Sequence, residues 1–188
     1  MLVEAPRKKF LMSLHTFVDE SKARTFILVG ATCPTAALDS VRKSLTGLLL
    51  PGQERLHFSK ERDSRRRSAL QVITNSPISL TVIETVKKPT EIEARTRSLR
   101  RLVREASTLS VSRMTIELDA SMLALDQRIM AEMAWFGRHD FPLSYTWAQP
   151  RQEPMLWAAD ALAWSWAAGG HWRSQLRPVT KLIHVPLV

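Results

Sequence analysis

HTFVDESKARTFILVGATC, residues 15–33, decides the fold. Phe, Val, Ile and Leu dominate two runs, and these predict β-strands over 11–18 and 25–33 joined by the polar turn ESKAR. Side chains on a strand alternate, so His15, Phe17 and Asp19 share one side. Glu20 points the other way or lies already in the turn. Carboxylates at the end of a core strand are costly to bury unless a metal or a partner group meets them.

The same anomaly returns twice further along. RMTIELDA, 113–120, predicts another strand, with Thr115, Glu117 and Asp119 on one face. Asp160 then stands alone in the apolar run MLWAADALAWSWAAGG, with no other charge between Met155 and Ala168. Two central strands each offering an acid at one end, and a helix bringing a third, would form an oxygen-lined pocket. Mg²⁺ or Mn²⁺ prefers such ligands, with Asp19, Asp119 and Asp160 as the metal set. The plainer alternative puts these acids at solvated strand ends or helix caps, and pairs Asp160 with an arginine.

Between these points the pattern alternates. Thr35 is placed to cap a helix over 36–49, with Leu38, Val41, Leu45 and Leu48 on one stripe, and Pro51-Gly52 breaks it. Residues 54–60 read as a short strand or extended loop. Asp63 or Ser64 opens a basic helix to about Thr74, and Asn75-Ser76-Pro77 is a turn. ISLTVIETV, 78–86, is a strand. Pro89 and Thr90 begin a long helix to about 108. A helix over 122–137 ends at Gly137, a strand covers 143–148, and Pro154 precedes a helix over 155–168 that Gly169-Gly170 ends. The tail after Pro178 predicts an added edge strand. Five or six strands alternating with helices, and no linker, give a single α/β domain over residues 1–188.

Composition narrows the partners. Lys and Arg number 27 against 18 Asp and Glu, a formal net charge of +9 and a pI near 10.4. That balance favours polyanions, nucleic acid first, or else an acidic protein partner. Cys33 is the only cysteine, which excludes a disulfide framework and a thiolate cage. Arg7, Lys8 and Lys9 precede FLMSL, too short for a signal-peptide core, and the run around Asp160 is too short for a membrane span. The expectation is a cytoplasmic protein with no membrane partner.

FVDES, TFILVGA, HFSK and WAADALAW, in this order and spacing, resemble the domain of unknown function 3800 family over residues 12–168. The resemblance implies a ribonuclease H-like mixed sheet flanked by helices, and metal-dependent phosphodiester cleavage of RNA or DNA. Asp19 matches the family's first-strand acid, and Glu20 and Ser21 complete that motif. His57 and Lys60 match a polar segment after the first helix. Asp119, or else Glu117, matches the middle-strand acid, and Asp160 the acid of the late helix. Lys22 stands where the family usually has glycine, and Trp157 where it usually has glutamine. The implied chemistry is two-metal hydrolysis, with Asp19, Glu117 or Asp119, and Asp160 as ligands. Lys60 would neutralise phosphate charge, and His57 would assist proton transfer.

Nucleic-acid contacts are expected from Arg65, Arg66 and Arg67, and from the helical stripe Arg97, Arg101 and Arg104. Trp135 with Phe136, and Trp172 beside His171 and Arg173, are placed to stack on bases or to join two copies in a homodimer. Two other classes compete with the enzyme: a non-catalytic binding module on the same fold, and a toxin or defence effector held by an acidic partner.

Overall fold

A computed structural model describes residues 13–22, 25–88, 90–136 and 143–186, without the side chains of Trp135 and Phe136. Six strands form one mixed sheet: β1 (Leu14–Ser21), β2 (Phe26–Pro34), β3 (Ser79–Thr85), β4 (Val111–Glu117), β5 (Ser144–Ala148) and β6 (Thr180–Val185). Their order is β5-β4-β1-β2-β3-β6. β2 runs antiparallel to both β1 and β3, whereas β4 is parallel to β1, β5 to β4 and β6 to β3.

Helices cover both faces, which is why FILVGATC is buried along its whole length rather than on alternate residues. On one face, Phe17, Ile27, Val29, Ala31 and Cys33 share a core with α1 (Leu38–Thr46), α2 (Asp63–Thr74), α5 (Pro154–Ala168) and α6 (Gly170–Ser174). On the other, Val18, Phe26, Leu28 and Ile83 pack with α3 (Glu91–Thr108) and α4 (Leu123–Phe136). Gly30 lets α3 lie close to the sheet, since a Cβ there would stand 2.9 Å from Leu102 Cδ1 and 3.1 Å from Thr16 Cγ2. Among the described residues no helix is long and apolar enough to cross a membrane.

The expected α/β alternation is present, with shifted limits. β1 runs on through Ser21, so Asp19 and Glu20 both lie within the strand. β4 stops at Glu117 instead of 120, and Asp119 falls in the following loop. Residues 54–60 hold no strand; Phe58–Lys60 form a single 3₁₀ turn. The first helix is shorter than 36–49, because a 3₁₀ turn over Thr35–Ala37 precedes it. Thr35 does not cap it, since its hydroxyl donates to Ser13 Oγ instead. Thr90 caps α3 by accepting from Glu93 N–H, and the tail supplies edge strand β6. The expectations for Arg7 to Lys9, Pro89 and Gly137, and for the side chains of Trp135 and Phe136, lie outside what is described.

Candidate active site

β1 and β4 run side by side, with Phe17 opposite Thr115 and Val18 opposite Ile116. One further step brings Asp19 level with Glu117, on the face that α5 covers. The alanines of α5 (Ala158, Ala159, Ala161, Ala163) are all buried against this face, so the helix approaches closely and its Asp160 reaches the carboxyl ends of β1 and β4. Asp19, Glu117 and Asp160 line one cleft of about 200 Å³, with Arg55, His57, Pro150, Leu156 and Trp157.

Proton affinities register the crowding. Burial, then the Glu117 and Asp160 charges, raise the Asp19 pKa well above the ordinary aspartate value, and Glu117 shares a side-chain hydrogen bond with it. Glu117 is raised too, first by burial and then by Asp160, while Arg55 and His57 pull it down. Asp160 Oδ2 accepts from Phe58 N–H at 3.0 Å and lies 3.3 Å from His57 Nδ1. It thereby ties the 3₁₀ turn to α5. On the far side of that turn, Arg66 donates to the carbonyls of Phe58 and Ser59 and stacks 4.3 Å over Trp164.

Asp119 does not line this cleft; it lines a neighbouring cavity with Asp19, Glu20 and Glu117. With the strand over, alternation no longer orients it: its Oδ1 accepts from Ser121 N–H and Oγ, bonds that hold its carboxyl below the ordinary range. Lys22 Nζ lies 3.8 Å from it. Glu117 is therefore the middle-strand acid that meets Asp19. Glu20 faces the opposite side of the sheet and pairs with Arg95 and Lys22. Arg95, 3% exposed, also grips the fully buried Asp126 through two bonds of 2.8 and 2.7 Å. Glu20 is thus committed to a buried charge network behind Asp19.

The arginines divide. Arg65 is held by Glu61, Gln53 and the Leu48 carbonyl, and Arg66 by the turn it supports. Arg97 latches the carbonyls of Val86, Lys88 and Pro186, and Arg101 pairs with Glu105. Arg67, Arg104 and Lys60 are exposed. α3 lies across the sheet from the cleft, so its stripe and the three acids do not share a surface. Of the aromatic candidates with described side chains, Trp172 is 7% exposed and packs edge-on to Trp164. Sequence reasoning passed over Arg55. It lies two residues before His57, and in an extended stretch that spacing puts both on one side.

Among the described residues no group of three or more His, Cys, Asp or Glu side chains is arranged to hold a metal ion as it stands. The donor set nevertheless has the chemistry a hard divalent cation needs. It comprises three carboxylates, and burial together with the charges of the other two raises the pKa of Asp19. Comparison with family profiles and with curated proteins finds no match to this chain. The likeness to the domain of unknown function 3800 family therefore rests on its quoted motifs.

Proposed function

We propose that the protein is a ribonuclease H-like, metal-dependent nuclease that hydrolyses phosphodiester bonds of RNA or DNA. The observation that carries this reading is the meeting of Asp19, Glu117 and Asp160, from β1, β4 and α5, in one cleft. The strand arrangement supports the fold assignment. An antiparallel β1-β2-β3 meander is extended beyond β1 by parallel β4 and β5, and the acids stand at the carboxyl ends of the parallel strands.

Asp19, Glu117 and Asp160 would hold Mg²⁺ or Mn²⁺. When bound, such ions lower the pKa of a water and stabilise the leaving oxygen. The residues of the chain supply the rest. A bound cation would oppose the Glu117 and Asp160 charges that, after burial, raise the Asp19 pKa, and so would favour its carboxylate form. His57, whose Nδ1 lies 3.3 Å from Asp160 Oδ2, presents its imidazole to the cleft. Trp157 and Leu156 line an apolar wall, and the Trp157 indole N–H is engaged with the Pro150 carbonyl at 2.6 Å.

The test is direct. Purified protein is incubated with labelled single- and double-stranded RNA and DNA, with Mn²⁺, with Mg²⁺ and with chelator, beside Asp19→Asn and Glu117→Gln. Cleavage by wild type with metal, absent with chelator and in both variants, is expected. In the same samples Mn²⁺ should raise the melting temperature of wild type and not of Asp19→Asn. Equal cleavage by a well-folded Asp19→Asn removes the assignment.

A further inference from the structure

Among the described residues, Arg55 is the one arginine or lysine lining the cleft, and it has no hydrogen bond or ion pair. The acids of the cleft are engaged, Asp19 with Glu117, and Asp160 with Phe58 N–H and His57. Arg65, Arg66, Arg95, Arg97 and Arg101 all spend their guanidinium groups on carbonyls or carboxylates. Arg55 forms no hydrogen bond and no ion pair with any described residue, although it lines the cleft beside Glu117 and Asp160. An unpaired guanidinium next to three carboxylates that it does not bridge is placed for a ligand that carries its own negative charge.

We infer that Arg55 is the phosphate-binding residue of this site, gripping the non-bridging oxygens of a phosphodiester on a nucleic-acid strand. The inference rests on the nuclease reading for the reaction, though the grip itself does not need cleavage. The cleft carries both the three carboxylates and the guanidinium of Arg55. A phosphodiester between them has its negative oxygens turned to the guanidinium fork, which matches two phosphate oxygens at once. Its remaining oxygens face the carboxylates, which become hospitable only when cations neutralise them. The volume of about 200 Å³ equals the liquid share of roughly seven waters. That is room for a phosphodiester with part of its sugars.

A competing role for Arg55 is to neutralise the acids in the absence of ligand. The two roles separate cleanly. Wild type, Arg55→Gln and Arg55→Lys are titrated with a fluorescein-labelled oligothymidylate and its oligouridylate counterpart by fluorescence anisotropy. Ca²⁺ serves as a hard cation with the same oxygen preference, and several salt concentrations are used. Arg55→Gln should bind both probes about tenfold to a hundredfold more weakly, the loss of a charged hydrogen-bonding contact. Its salt slope should be smaller by roughly 0.7, one phosphate contact on a single strand. Arg55→Lys should recover part of the affinity, keeping charge without the fork. All three should melt alike in chelator. Unchanged binding by Arg55→Gln, no binding of either probe by wild type, or a large fall in the melting temperature of Arg55→Gln in chelator would each overturn the inference. Replacing Ca²⁺ by Mn²⁺ distinguishes the two claims. A wild type that binds through Arg55 and cuts nothing loses the nuclease reading alone. A wild type that cuts, beside an Arg55→Gln that binds and cuts equally well, loses the Arg55 assignment alone.

Discussion

Two titratable side chains on the same face of β1, the buried His15 and the half-buried Asp19, pull the stability of this protein in opposite directions with pH. Burial, and then the Arg113 charge, lower the His15 pKa from 6.5 to about 4, and its ring stacks on Phe17 while Nε2 meets Thr115 Oγ1 at 2.8 Å. The folded state rejects a proton that the unfolded chain accepts. The His15 contribution is therefore intact above pH 6.5 and is lost as pH falls from there through about 4. Fully drawn, the difference amounts to about 3 kcal/mol. Asp19 has the opposite sign. Its folded carboxyl binds a proton more tightly than the unfolded one, so its contribution is present below the ordinary value of 3.8 and is lost as pH rises through the raised folded value. Melting temperatures in chelator, from acid to neutral pH, should resolve both. Asp19→Asn should melt above wild type at neutral pH, with the gain shrinking on acidification. His15→Gln should flatten the limb between 6.5 and 4. An Asp19→Asn variant that melts well below wild type at neutral pH would show that the acids are not crowded in the apo state.

At the scale of elements, the 3₁₀ turn Phe58–Lys60 is where the site depends on packing that no local pattern announces. One side of the turn is tied to Asp160 and the other to Arg66, whose guanidinium carbon lies 4.3 Å from the Trp164 ring centroid. Replacing Arg66 by Met keeps the stacking area and removes two bonds to carbonyls. The expected cost is about 1–3 kcal/mol, with faster amide exchange at Lys60 and Glu61, whose N–H groups close the turn. Exchange as slow as in wild type would mean that Asp160 alone sets the turn. The β1-β2 hairpin, the start of α3 at Thr90 and the lone Asp160 of α5 were legible in the sequence, because each depends on nearest neighbours, whereas the cap expected at Thr35 gave way to a bond with Ser13. The choice between Glu117 and Asp119 was not. It turns on whether β4 stops at 117 or 120, and the Ser121 hydroxyl that captures Asp119 makes that decision outside the strand. The role of Glu20 was hidden for a similar reason, since its partners Arg95 and Asp126 come from α3 and α4.

Across the whole molecule, a net charge of +9 does not by itself locate a binding face. The stripe Arg97, Arg101, Arg104 is real as helical periodicity, yet its first member latches carbonyls at Val86, Lys88 and Pro186, the last of them 89 residues away in sequence. The second is paired with Glu105, which Lys181 also meets, and Arg104 is exposed. These charges hold the end of the sheet, on the side away from the three acids. Cations free to meet a polyanion near the cleft lie elsewhere: Lys60 at the end of the 3₁₀ turn and Arg67 on α2, both exposed. Lys60→Gln with Arg67→Gln should therefore reduce the salt slope of single-strand binding by about 1.4, twice the roughly 0.7 of one phosphate contact, and leave the melting temperature unchanged. The triple Gln variant at Arg97, Arg101 and Arg104 should do the reverse. It should leave the slope nearly as it was and cost about 1 kcal/mol of stability, as the exposed carbonyls of Val86, Lys88 and Pro186 exchange their donor for water. Salt titrations by anisotropy and melts of the same two variants decide the matter. A flattened slope for the triple variant, with none for the double, would move the nucleic-acid face to α3 and separate it from the cleft.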